Sequence, residues 1–230
     1  MGNFRRRAWR EDYRAMPNVF IAGVTGYLGS RLAEELIRER CTVSGLVLEG
    51  SENRLPQGCR PVPGNALDRT TFSGKIAGTD AYVQLVGVAH PRPAKPRQFR
   101  EIDLKSCQES LAAALANNVK HFVYVSVAHP APAMKASIEV RTRCEELIRT
   151  SGLHATILRP WYVLGPGHYW PYLLKPFYWM ARQIPASRAG AKRLGLVTLT
   201  QMISALAASV ASPADGIRIV EVPKIASRRT

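Results

Sequence analysis

Gly23, Gly26 and Gly29 stand at GxxGxxG spacing in FIAGVTGYLGS, residues 20–30. The chemistry such a run serves is anion binding. Glycine allows the tight turn and brings backbone up to a pyrophosphate with no Cβ in between, while N–H groups of the following helix face the phosphate oxygens. Context gives the three glycines their weight. Val19 to Ala22 is a short apolar run of the kind a buried parallel strand shows. After the glycines, Leu28, Leu32, Leu36 and Ile37 recur at helical spacing, with Arg31, Glu34, Glu35 and Arg38 on the other face. The pattern predicts a dinucleotide on a strand-turn-helix unit.

Proton chemistry has three further candidates. His90, His129 and His168 each follow a strand or turn that ends at the same side of the sheet, and histidine shuttles protons near neutral pH. Cys41, Cys59, Cys107 and Cys144 show neither CxxC pairing nor histidines at ligand spacing, so no metal is expected. Cys107 and Cys144 fall on the apolar sides of their helices and read as packing residues.

The elements that must position these residues alternate between strand and helix, the pattern of a parallel sheet covered on both faces. Strands are expected at Asn18 to Ala22, Thr42 to Leu48, Arg60 to Pro63, Ala81 to Leu85, His121 to Ser126, Ala155 to Arg159 and Ile217 to Val222. Helices are expected over Tyr27 to Arg40, from Pro96 to Asn118 with a Leu104, Cys107, Leu111, Leu115 stripe, over Ser137 to Thr150, and over Thr198 to Val210. Asp68 to Lys75 starts with a helix cap. The expected fold is α/β, a doubly wound, mostly parallel Rossmann sheet in one domain over 18–222. A basic arm precedes it at 1–17, a cap inserts at 161–197, and a basic tail follows at 223–230.

Within the cap, residues 161–185 are rich in tryptophan, tyrosine and phenylalanine, which suits a cover over a substrate cleft or a protein partner surface. The net charge of +15 is concentrated in part in Arg5, Arg6, Arg7, Arg10, Arg14, Arg228 and Arg229. Such tails read as solvated, with no reading helix or aromatic RNA motif behind them, so no specific nucleic acid is expected. No run approaches the roughly 18 apolar residues of a spanning helix, and the N-terminus lacks a secretory signal. The expectation is a soluble, cytoplasmic protein.

GVTGYLGS, HFVYVSVAHPAP and EELIRTSGLHATILRPWYVLGPG, in that order, resemble the short-chain dehydrogenase/reductase superfamily. The resemblance is greatest to its atypical branch, the NmrA-like and complex I accessory-subunit-like NAD(P)-binding proteins. It implies that Gly23, Thr25, Gly26, Tyr27, Leu28 and Gly29 form the pyrophosphate loop, and that Asn65 meets the adenine. Val86 and Gly87 match the stretch beside the adenine ribose, and Pro160, Trp161 and Tyr162 the turn along the nicotinamide. For the choice between NAD and NADP, Leu48 stands where relatives often carry arginine. Glu49 favours NAD, whereas Ser51 and Arg54 suit a 2′-phosphate.

In the oxidoreductases of this superfamily a tyrosine moves the proton, and a lysine four residues later lowers its pKa and grips the nicotinamide ribose. The resemblance places Ser137 at the tyrosine position and Arg141 at the lysine position, with Ser126 near the family's serine. A serine hydroxyl is shorter and far less acidic than a phenol, and a guanidinium fork differs from an ammonium group. This leaves two readings. One is an NAD(P)-binding protein that uses the dinucleotide for structure or redox sensing. The other is an oxidoreductase or epimerase with substituted groups, His129 first among them, acting on a small hydrophobic or sugar-nucleotide substrate.

Overall fold

Asn18–Ala22 forms β1, whose alternate side chains enter two separate cores, Val19 and Ile21 on one side of the sheet, Phe20 and Ala22 on the other. A strand buried on both faces needs apolar residues throughout, hence the continuous run. The computed structural model describes residues 17–88, 95–129, 134–166 and 195–228. The arm through Met16, His90, the 167–194 part of the cap with His168, and Arg229 lie outside the described residues.

After α1 (Tyr27–Arg38), the sheet continues with β2 (Thr42–Val47), β3 (Arg60–Pro63) and β4 (Ala81–Gln84). It is completed by β5 (His121–Val125), β6 (Ala155–Arg159) and, after the short β7 (Tyr162–Leu164) and β8 (Leu196–Thr198), β9 (Ile217–Glu221). The order is β3-β2-β1-β4-β5-β6-β9, and every pairing is parallel. This is the doubly wound α/β fold expected from the sequence. Strand order reverses between β1 and β4, and the crevice at their carboxyl ends is where ligands bind in such sheets.

The helix expected from Pro96 to Asn118 is built in three parts: α2 (Pro96–Gln98), a π-helical stretch Phe99–Leu104, and α3 (Lys105–Ala116). The wider π turn shifts the register that a 3.6-residue period assumes. Phe99 and Asp103 are buried as a result, while Leu115, expected on the apolar stripe, is 43% exposed. With α4 (Lys135–Thr150), α3 covers one face through Cys107, Leu111, Cys144 and Ile148. The other face is covered by α1 and α5 (Leu199–Ala211) through Leu32, Leu36, Met202 and Leu206.

Other boundaries differ from expectation for local reasons. Asp68 does cap, its carboxylate accepting from the Thr70 amide at 3.0 Å, but it opens two 3₁₀ turns rather than an α-helix. The parallel pair β7–β8 is not foreshadowed in the sequence, because three-residue strands carry too little pattern to read. The last strand stops at Glu221. Where a basic tail is expected from 223, Val222–Ala226 forms α6, with Val222 and Ile225 buried against the core.

At the amino end of the sheet, His121 is fully buried, with one ring nitrogen 3.0 Å from the Thr156 hydroxyl and Nδ1 unpartnered. Burial, aided by the nearby Arg218 and His154, pushes its pKa down to about 4 from 6.5. The unfolded chain therefore binds the extra proton first, and stability is full above pH 6.5 and falls as pH drops toward 4. The expected loss is roughly 3 kcal/mol over that window. Urea unfolding across pH should show it, and His121→Gln should remove that component of the slope.

Candidate functional site

The glycine turn is shaped by contacts that leave no room for side chains. Gly23 has φ +88°, and a Cβ there would stand 2.9 Å from the Leu85 carbonyl carbon and the Val86 nitrogen. At Gly29 a Cβ would stand 2.1 Å from the Gly23 carbonyl oxygen. The turn is therefore wedged between α1 and the end of β4. Gly26 is the N-cap of α1 and its amide donates to the Gly23 carbonyl at 3.0 Å, with no side chain capping the helix. The first-turn N–H groups have no partner within the helix and lie at the mouth of the crevice. This cradle fits a pyrophosphate.

Around the turn the expected cofactor residues are found at the carboxyl ends of the strands. Thr25 is half-buried beside it, and Leu28 packs into the core. Tyr27 reaches across to the end of β7, where a Cβ on Gly165 would meet its hydroxyl at 2.2 Å. The Arg31 guanidinium lies 4.8 Å from the centre of the Tyr27 ring. Asn65 follows β3 and closes an Asx turn, its carboxamide oxygen accepting from Leu67 at 3.0 Å. Glu49 and Arg54 are both exposed beyond β2, and Leu48 between strand and turn is 62% exposed. Pro160 is buried after β6, and Trp161 stacks edge-on against Tyr162, with centroids 5.1 Å apart.

Arg141, which the resemblance places at the lysine position, has its guanidinium among protein groups. Its guanidinium donates to the Val125 carbonyl at 2.7 Å and the Tyr124 hydroxyl at 3.2 Å, and it pairs with the buried carboxylate of Asp103. Asp103 also accepts from the Val88 amide at 3.0 Å. Burial pushes the Asp103 carboxyl up, and the Arg141 guanidinium opposes that push. The pair ties α4 and the π turn to the loop after β4, and Gly87 lies on it: a Cβ there would be 2.6 Å from the Arg141 Nη2. Both Nη groups of the fork are engaged by protein groups at the carboxyl end of β5 and beside the loop after β4.

A second charged cluster lies at the ends of β6 and β9. Glu145 is fully buried and receives Arg159 through Nε at 2.9 Å and Arg149 at 2.8 Å. Arg159 continues to Glu221 at 2.9 Å. Burial works against the Glu145 charge, but the Arg159 hydrogen bonds, Ser126 and the nearby His129 together hold its carboxyl below the usual range. The Ser126 hydroxyl is buried close to Glu145 without hydrogen-bond geometry to it. Nδ1 of His129 lies 3.0 Å from the Val127 carbonyl, which leaves Nε2 to face other groups. Ser137 is half-buried one turn before Arg141.

Sequence reasoning does not single out Asp103, Tyr124, Glu145 or Arg159. One signal is present. Ser137, Arg141 and Glu145 repeat at intervals of four, which puts a polar stripe beside the apolar one on α4. Among the described residues no His, Cys, Asp and Glu group suited to a metal occurs, and no helix is long and apolar enough to cross a membrane.

Residues 23–166 match the family described as NAD(P)H-binding. Over 145 residues the chain is 23% identical to the photosystem II assembly factor Ycf39 of Cyanophora paradoxa, covering 62% of this chain and 44% of that protein. The chain thus spans under half the length of that curated relative. The enzyme WbmH of Bordetella bronchiseptica, solved with NAD+, superposes with a TM-score of 0.67 at 23% identity, over 88% of this chain and 75% of its own. The UDP-glucose 4-epimerase of Thermus thermophilus, solved with NAD, gives 0.62 at 16% identity, over 90% and 80%.

Proposed function

Since the chain belongs to the NAD(P)H-binding family, as an atypical protein of the short-chain dehydrogenase/reductase type that binds NAD or NADP, we propose that it holds the dinucleotide for structural or redox-sensing use rather than for hydride turnover. The carrying observation is Arg141. Its guanidinium is engaged by Asp103, Tyr124 and Val125, and the group one turn before it is a serine hydroxyl instead of a phenol. Neither residue supplies the proton transfer that the superfamily's oxidoreductases need. Gly23, Gly26 and Gly29 take the pyrophosphate on this reading, Asn65 the adenine, and Pro160 to Tyr162 the nicotinamide side.

Similarity to a photosystem assembly factor supports a binding role. A protein partner at the aromatic 161–185 region belongs to the same proposal, with Trp161 and Tyr162 at its described edge. A cytoplasmic or otherwise reducing setting agrees with four free cysteines. The alternative, an oxidoreductase or epimerase, rests on His129, whose Nδ1 is oriented by Val127.

Fluorescence titration with NADH and NADPH tests the cofactor, with saturable binding of at least one expected; binding of neither would sink the reading. Glu49→Ala should weaken NADH more than NADPH if the acidic side chain sets the preference. A screen with quinones, ketones and nucleotide sugars should show no dinucleotide consumption. Robust turnover lost in His129→Ala would establish the alternative instead.

A further inference from the structure

The loop after β4 is packed between two partners. On one side is the glycine turn, where a Cβ on Gly23 would stand 2.9 Å from the Leu85 carbonyl carbon and the Val86 nitrogen. On the other is the buried Asp103–Arg141 pair. A Cβ on Gly87 would be 2.6 Å from the Arg141 Nη2 and 3.0 Å from the Asp103 Oδ1. Backbone approaches backbone on the first side and an ion pair on the second, and glycine makes room for both contacts.

Both ends of this stretch are tied. The Leu85 amide donates to the Ala22 carbonyl at the end of β1 at 2.9 Å, and the Val88 amide donates to the Asp103 Oδ2 at 3.0 Å. Between those ties the Val86 and Gly87 amides bond to no described residue. Val86 and Val88 also pack against the core under α3 and α4, but apolar contact is non-directional and does not fix how the backbone sits. The Val88 tie therefore sets how closely the stretch follows the glycine turn.

Asp103 is in turn fixed by Arg141. The carboxylate is only 2% exposed, so its charge requires a partner. Arg141 supplies it while anchored to the Val125 carbonyl at 2.7 Å and the Tyr124 hydroxyl at 3.2 Å. The pair thus hangs the loop from the end of β5, an inner strand of the sheet, and not from the π turn alone.

We propose that Asp103 and Arg141 are positioning residues for the adenosine half of the dinucleotide, holding Val88 and Gly87 so that the 85–88 loop keeps the place on which affinity depends. The inference rests on the reading of this crevice as the dinucleotide site. Supporting groups of this kind act by fixing the geometry of the groups that touch ligand. A grip on the nicotinamide ribose would behave differently. ADP, which lacks the nicotinamide and its ribose, should feel the loss of Arg141 as fully as the whole dinucleotide does.

Fluorescence titration of the full chain measures whichever of NADH and NADPH it binds, and displacement by the matching fragment, ADP or 2′-phospho-ADP, measures the adenosine half. Asp103→Ala and Arg141→Met should each weaken both ligands by about fivefold or more and by the same factor, the order that one lost hydrogen bond carries. Asp103→Asn, whose carboxamide oxygen still accepts from Val88, should lose less. Each single variant strands a buried charge at a cost to folding, so the double variant Asp103→Ala, Arg141→Met is decisive. It should melt above the single variants while affinity stays low, a split that a merely structural pair would not give. Unchanged affinity in the folded double variant, a loss confined to the whole dinucleotide, or a wild-type site from which the fragment displaces nothing overturns the inference. Binding of neither dinucleotide by the wild-type chain is a different failure, which removes the cofactor reading and the affinity role together. The tie to the loop is then judged by hydrogen exchange at residues 85–88, which should quicken in the double variant with α1 unchanged; equal exchange removes the tie as well.

Discussion

Gly29→Ala is expected to lower dinucleotide affinity at least tenfold and to destabilise the fold toward the upper end of the roughly 1–3 kcal/mol that overpacking costs. The added Cβ would stand 2.1 Å from the Gly23 carbonyl oxygen and 2.7 Å from the Val24 Cα. Both neighbours are backbone, so no rotamer change relieves the clash, and α1 must move away from the turn. The same movement withdraws the helix N-terminus from the phosphate position. Gly74→Ala is the control, because a Cβ there meets nothing within 4 Å. Titration with NADH and NADPH and urea unfolding of both variants measure the two effects. Unchanged affinity in Gly29→Ala would remove the turn from the binding site.

Glu145→Ala is expected to cost about 3–5 kcal/mol, the range for breaking a buried ion pair from one side. Arg159, with a side chain only 13% exposed, would keep Glu221 alone, and Arg149 would lose its carboxylate. Glu145→Gln retains the shape and should cost less. The carboxyl is held below its ordinary value of 4.5, so its contribution is full above that pH and is lost as acid protonates the folded group. Urea unfolding at neutral and acid pH gives both quantities. Since Arg159 directly precedes Pro160, loss of the pair should also loosen the turn that runs toward Tyr162, which fluorescence of Trp161 reports.

Most of the frame is legible in the sequence because burial on both faces imposes continuous apolar strands. β1, β3 and β6 have the bounds read from sequence, and the glycine turn falls where strand-then-helix context puts it. Asp103 is not legible. A helical period assumes one register, and the π turn at Phe99–Leu104 changes it, so an acidic residue enters the core where none is expected. Glu145 and Arg159 are 14 residues apart, and nothing local marks them as partners. β7 and β8 meet only because the chain returns after some thirty residues, a long-range pairing without local pattern.

By itself the sequence determined a parallel sheet with a glycine turn suited to a dinucleotide, since spacing and periodicity act over a few residues and need no tertiary partner. Its resemblance to the short-chain dehydrogenase/reductase superfamily implies that Ser137 and Arg141 take the places of the tyrosine and lysine. Only the tertiary structure shows what Arg141 touches. Its guanidinium meets Asp103 because a π turn and a strand end converge under α4, and burial then requires the charge to be paired within the protein.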